Sequence, residues 1–266
     1  MKINSFILWT LTIVLTLATS VYQRRTGPTK PVRGSVELAG ETIRYSLMRS
    51  HETGADAAIR IKVENVDITG TYKYRRYKSY DSWTELPMVR EGEHLVAYIP
   101  SQPPAGKVKY DIFLEHDYKR IKINADHVIM RYKGYVPGIY LVPHIIFMLF
   151  AMIFSMRTGF EAIFRRSNTY LFAWLTVIFI FLGGLVFGPI VQKYAFGDYW
   201  TGWPFGTDLT DNKTAVAFIF WLIALYRVYR NRNERIWVII AAVMLLIVYM
   251  IPHSLLGSEI DHTLAE

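Results

Sequence analysis

The chain has 266 residues, a formal net charge of +8 and no cysteine. The missing cysteine excludes disulfides, thiolate nucleophiles, thiolate metal sites and covalent c-type haem attachment on this chain, and it suits an oxidising compartment. Hydrophobic residues make up 52% of the chain and are clustered, which excludes an ordinary soluble domain for the second half.

Five windows, 6–21, 139–156, 170–190, 215–229 and 236–251, are apolar with few or no charges. A helix of roughly 20 such residues spans a bilayer. The expected fold class is therefore an integral membrane α-helical bundle of about five transmembrane helices, interrupted by a soluble all-β domain. The expected segments are a membrane anchor over 1–22, a β-domain over 23–137, a four-helix membrane domain over 138–256 and a tail over 257–266. The first window has a lysine before it and small residues at Ala18 and Ser20, so cleavage as a signal peptide is an open alternative to an anchor.

Arginines and lysines in short loops stay on the cytoplasmic side. Arg157, Arg165 and Arg166 follow the second window, and Arg227, Arg230, Arg232 and Arg235 lie between the fourth and fifth. This places the amino terminus in the cytoplasm and the β-domain, the connection over 191–213 and the carboxy-terminal tail outside. A multi-pass protein of a bacterial-type inner membrane is expected. Arg24 and Arg25 lie on the wrong side and are outvoted.

Within the β-domain, period-two alternation marks strands at 35–38, 42–47, 59–63, 68–74, 83–86, 95–99, 108–114, 120–123 and 128–132. Gly40, Gly54, Gly92 and the stretch 103–106 supply turns between them. Seven or more short strands at such spacing are the pattern of a sandwich. The stretch from Tyr74 to Asp117 has Trp83, Met88, Tyr98-Ile99-Pro100 and Gly106-x-Val108-x-Tyr110, and residues 60–120 resemble immunoglobulin-like sandwiches of the early-set kind. That resemblance implies a fold and no activity. Tyr72, Tyr74, Tyr77, Tyr80 and Trp83 interleave with Lys73, Arg75, Arg76 and Lys78. This pattern is read as a strand with one core face and one solvated face, in preference to an aromatic and basic binding face. His51, His94, His116 and His127 have no metal-like spacing and are read as surface residues.

In the membrane half, His144 follows Pro143 and His253 follows Pro252. Helical rise puts His144 about 10 Å below the outer end of its span and His253 near the outer end of the last one. Two histidines at matched depth suit the axial pair of a haem b, a copper-type metal site, a proton relay or a quinone contact. The structural alternative is that each imidazole bonds a backbone carbonyl freed by its proline. The connection between them is rich in aromatics and acids: Trp200 and Trp203 form a platform for a flat cofactor, while Asp208 and Glu259 are candidate metal ligands beside the histidines. An interfacial aromatic belt explains the tryptophans equally well.

The arrangement of His144, Trp200, Trp203, Asp208 and His253 loosely resembles the haem-handling proteins of cytochrome c maturation. The resemblance implies a membrane subunit of a redox or haem-handling system, with haem or a metal ion held near the outer face. The alternative is a non-catalytic scaffold or assembly subunit whose sandwich recruits a periplasmic partner. Whether the chain is an enzyme stays open. Expected partners are the lipid bilayer and other membrane or periplasmic subunits, with no nucleic acid. Phosphate-loop, dinucleotide, zincin and serine-elbow motifs are absent.

Overall fold

The computed structural model of the chain describes residues 4–252 and 257–264. It divides into a helical unit, Met1–Pro28, Val136–Tyr194 and Asp198–Ser258, and a β-rich unit, Thr29–Tyr135, Ala195–Gly197 and Glu259–Glu266.

Five helices form the helical unit among the described residues: α1 (Ser5–Thr26), α2 (Gly138–Ile163), α3 (Thr169–Phe196), α4 (Leu209–Arg230) and α5 (Ile236–Met250). The apolar windows coincide with them. By length and composition α1, α2 and α3 can each cross a membrane, whereas α5 is apolar but has only 15 residues. Asn4 caps α1 by accepting the Phe6 amide at 3.0 Å, and Arg24 and Arg25 occupy its last turn. Cations there complement the helix dipole, a local reason for basic residues that the topology count disfavours. Its buried stripe is Leu8, Thr12 and Thr16, spaced by four, and the Thr12 hydroxyl is satisfied by the Leu8 carbonyl at 2.8 Å.

Helix α3 is interrupted by a π-helical stretch, Phe181–Phe187, which contains Gly183 and Gly184. A methyl group on Gly183 would lie 3.0 Å from the Met148 amide nitrogen and Phe147 Cβ on α2, and one on Gly184 would lie 2.6 Å from Thr214 on α4. The glycine pair therefore permits the close approach of both α2 and α4. The segment read as the connection over 191–213 is shorter in the structure. Helix α3 continues through Gly188–Phe196 and α4 begins at Leu209, so only Gly197 to Asp208 lies outside helices.

In the β-rich unit the strands are β1 (Val32–Leu38), β2 (Glu41–Leu47), β3 (Ser50–Glu52), β4 (Ala57–Lys62), β5 (Thr69–Arg76) and β6 (Thr84–Pro87), followed by β7 (Val89–Glu91), β8 (His94–Ile99), β9 (Lys107–His116), β10 (Lys119–Lys122) and β11 (Val128–Lys133). They form sheets β1-β2, β4-β8-β7 and a six-stranded β3-β11-β9-β5-β6, in which β10 also pairs with β9. Each of the nine predicted runs overlaps a strand, with Val63, Ile68, Trp83 and Ile123 at the run ends falling just outside. The additional strands, β3 and β7, have three residues each, too few for alternation to show. Ala39 and Gly40, at φ of 52° and 78°, make the two-residue turn that registers Leu38 opposite Glu41.

All three sheets contribute to one apolar core, including Ile43, Ile59, Ile61, Ile99, Ile112 and Met130. Three buried tyrosines tie it together through their hydroxyls: Tyr72 donates to Tyr98 O and Tyr110 to Met48 O, each at 2.8 Å, and Tyr132 to Pro100 O at 3.1 Å. Buried hydroxyls require such partners, so these contacts fix which strand faces which.

Candidate functional site

His144 lies in the second turn of α2, directly after the helix-internal Pro143. Its Nδ1 is 2.8 Å from the carbonyl oxygen of Gly183 in the π-helical stretch of α3. A carbonyl only accepts, so Nδ1 carries the proton and Nε2 has the lone pair. The same carbonyl accepts the Gly188 amide, the bond that closes the π turn. The imidazole thus binds a carbonyl on the neighbouring helix, not the one its own proline frees. His253 lies outside the described residues.

The non-helical segment is held by two carboxylates. Asp211, only 5% exposed, accepts the Thr201 amide at 2.7 Å, the Gly202 amide at 3.0 Å and the Gln192 side chain at 3.0 Å. Asp208 caps α4 by accepting the Thr210 amide at 2.7 Å, and its second oxygen accepts the Ser258 amide at 2.7 Å and hydroxyl at 2.9 Å. Gly202 is obligatory in this packing, because a Cβ there would fall 2.6 Å from that of Asp211.

The tryptophans sit differently from a paired platform. Trp200 donates its indole N–H to the Trp203 carbonyl at 3.1 Å, and the Trp203 amide donates to Asn212 Oδ1 at 2.6 Å. The Trp203 ring is 78% exposed and Phe205 83%. Nearby, Tyr140, Ile190, Lys193, Tyr194 and Tyr199 line a groove of about 540 Å³, with Tyr140 stacked on Tyr194 at 5.4 Å.

Glu259, proposed from sequence as a metal ligand, belongs to the β-rich unit, whereas His144 and Asp208 belong to the helical unit. Its carboxylate pairs with Lys78 at 2.5 Å and with Lys107. Burial pushes this carboxyl up, but the hydrogen bonds from Lys107 and Lys78 prevail and hold it below the ordinary value. A carboxyl depressed on folding contributes stability above its ordinary pKa of about 4.3 and loses it as pH falls through the lower folded value. Acidification should therefore release the tail. A spin label on a Thr263→Cys variant is expected to gain mobility only as pH falls below the ordinary carboxyl value of about 4.3, and Glu259→Gln should make it mobile throughout.

Among the described residues, no three histidine, aspartate or glutamate side chains converge to hold a metal ion. Two buried cations of the helical unit escaped the sequence reading. Lys213, 6% exposed in the first turns of α4, donates to the Ile251 carbonyl at 2.7 Å and borders a cavity of about 20 Å³ with Thr214 and Tyr249. Arg157, counted from sequence as a loop residue, is 1% exposed inside α2 and pairs with Glu161 at 2.7 Å. The signal was present: Arg157 and Glu161 stand four apart, the spacing of helical ion pairs. Comparisons with protein-family models, with curated proteins and with solved structures find no match for this chain.

Proposed function

We propose that the chain is a non-catalytic membrane scaffold or assembly subunit. In this reading five transmembrane helices carry an extracytoplasmic immunoglobulin-like sandwich that recruits a partner. The amino terminus is cytoplasmic, in a bacterial-type inner membrane, because Arg165, Arg166, Arg227, Arg230, Arg232 and Arg235 crowd the two turns assigned inside. The 22 residues of α4 give about 33 Å of helix, enough to cross, and the 15 of α5 give about 22 Å, a short span that flanking residues and local thinning accommodate.

One observation supports the scaffold above all. Four of the five described side chains that suited a cofactor are committed to the chain itself, His144 to Gly183, Asp208 to Thr210 and Ser258, Glu259 to Lys78 and Lys107, and Trp200 to the Trp203 carbonyl, while the Trp203 ring is exposed.

A second reading, a haem-handling or redox subunit binding haem b or a metal through His144 and His253, is favoured by one detail. A histidine ligand commonly donates one ring N–H to a backbone carbonyl and coordinates through the other nitrogen, and the Nδ1–Gly183 bond leaves Nε2 in that state.

An absorption spectrum and metal analysis of the detergent-purified protein, as isolated and dithionite-reduced, separate the readings. The scaffold predicts no Soret band and no stoichiometric metal, with His144→Ala and His253→Ala both folded. A Soret band lost in either variant would overturn the scaffold and establish a histidine-ligated haem. Stoichiometric metal without that band would assign the site to a metal ion.

A further inference from the structure

The outward face of the six-stranded sheet breaks a rule of strand pairing. Arg75 on β5 stands directly opposite Lys109 on β9, and on the other side of β9 Arg131 of β11 stands directly opposite Lys107. Like charges in register are destabilising, and here they occur on three adjacent strands separated by about 4.8 Å each. Lys107 is paired with Glu259. Among the described residues no carboxylate pairs with Arg75 or Lys109, and Arg75 Nε is buried without a hydrogen-bond acceptor.

Aromatic rings occupy the space that carboxylates would. Lys73 and Arg75 both lie over Trp83, at 4.8 and 5.0 Å, and Lys107 and Lys109 both lie over Tyr77, at 5.5 and 5.6 Å. Each ring is shared by one cation that also has a carboxylate, Lys73 with Asp111 at 3.6 Å and Lys107 with Glu259, and by one, Arg75 or Lys109, that the ring face only partly compensates. Tryptophan, tyrosine and arginine are also the side chains that anchor protein interfaces, where flat rings give large contact area at little cost in ordering. A fold that tolerates this local conflict retains a surface complementary to something anionic.

The chain's own tail shows one way the surface is satisfied. Residues 257–261 have no helix or strand, and from them Glu259 reaches Lys78 and Lys107 while the His262 amide donates to the Lys78 carbonyl at 2.9 Å. An acidic, non-helical segment thus already neutralises the rim. Alternate residues of an extended chain repeat every 6.6–6.8 Å or so, the same interval that separates Lys107 from Lys109 along β9.

We propose that the Arg75–Lys109 face of the β-rich unit is a docking surface for an extended acidic segment of a partner protein, seated beside the chain's own Glu259. This deepens the scaffold reading by giving the recruited partner a chemistry, and it rests on that reading.

The test uses the full chain in phosphatidylcholine nanodiscs and a fluorescein-labelled ten-residue polyglutamate peptide, followed by anisotropy. Lys109→Glu is expected to weaken binding by about tenfold, whereas Lys30→Glu, an exposed lysine elsewhere in the unit, leaves it unchanged. Lys109→Glu also converts the clash with Arg75 into a cross-strand ion pair, so its melting temperature should rise by about 1–4 °C. Weaker binding in a more stable protein distinguishes a lost contact from a damaged fold. No peptide binding, equal binding by Lys109→Glu, or equal losses in both variants would overturn the proposal. So would capture of phosphatidylglycerol vesicles, abolished by Lys109→Glu, in a protein that ignores the peptide, which would assign the face to a membrane surface. A Soret band would sink the scaffold reading without touching this titration, so the two failures remain distinguishable.

Discussion

Glu161→Ala is expected to destabilise the helical unit by about 3–5 kcal/mol. The Glu161 carboxylate is fully buried, and one oxygen meets Arg157 Nη2 at 2.7 Å and Arg166 Nε at 3.2 Å. Its other oxygen accepts the Asn168 amide at 3.0 Å, so it also closes the turn between α2 and α3. Removing it leaves the Arg157 guanidinium, 1% exposed, with the Ser5 hydroxyl at 3.1 Å and the rings of Trp9 and Phe172 at 5.1 and 5.3 Å as its contacts among the described residues. Aromatic faces offset only part of the cost of an uncompensated buried charge. Denaturant unfolding of the detergent-solubilised protein measures the loss. The double variant Arg157→Met with Glu161→Met should recover most of it, to within about 1–2 kcal/mol of the parent, because replacing a buried pair by apolar side chains removes both desolvation costs. A loss below about 1 kcal/mol for Glu161→Ala would mean that the pair behaves as an exposed one.

The second large effect belongs to Asp211. Its carboxylate is the shared acceptor for two backbone amides and for Gln192, and Gly202 N is buried with it. Alanine leaves those donors without an acceptor, and hydrogen bonds to a charged group contribute about 1.5–3 kcal/mol each before non-additivity. Asp211→Ala is therefore expected to cost about 3 kcal/mol and to expose the Gly197 to Asp208 segment to proteolysis. Asp211→Asn keeps one acceptor oxygen and should lie between the two. Unchanged protease resistance in Asp211→Ala would show that the segment is held by Asp208 alone.

These two carboxylates mark the line between what was legible and what was not. Hydropathy placed α1, α2, α3 and α5, because a 15- to 28-residue apolar segment differs from everything else in the chain, and it marked α4 less sharply, since that helix begins at Leu209 and its window began at 215. Alternation placed nine strands for a similar reason, since a half-buried strand repeats every second residue. The failures lie at boundaries and in long-range pairing. The third apolar window ended at Ile190, yet the helix continues to Phe196, and Pro189 falls in the first turn of the α-helical stretch after the π turn, where its missing amide is tolerated. Arg157 read as a loop residue because the apolar window ended at Met156, whereas its buried charge is satisfied within the helix by Glu161. Asp208 and Asp211 were visible as acids in an aromatic segment, but their amide partners depend on a loop conformation that no spacing rule encodes. The opposition of Arg75 and Lys109 was hidden for a stronger reason. It is a property of register between strands 34 residues apart (75 to 109), and register is set by the whole sheet.

The π-helical stretch of α3 sets where that helix can change length. A π turn holds one residue more than an α turn, so deleting any single residue from 181–187 would let α3 rewind as an uninterrupted α-helix. Hydropathy, charge and the number of helices would be unaltered. Residues beyond such a deletion would keep nearly their present orientation, with Gln192 still beside Asp211 and Thr201, because the π turn absorbs the extra residue locally. A deletion in the α-helical stretches of α3 would instead rotate everything beyond it by about 100° and shift it by about 1.5 Å, so the π stretch is where this helix absorbs a change in length.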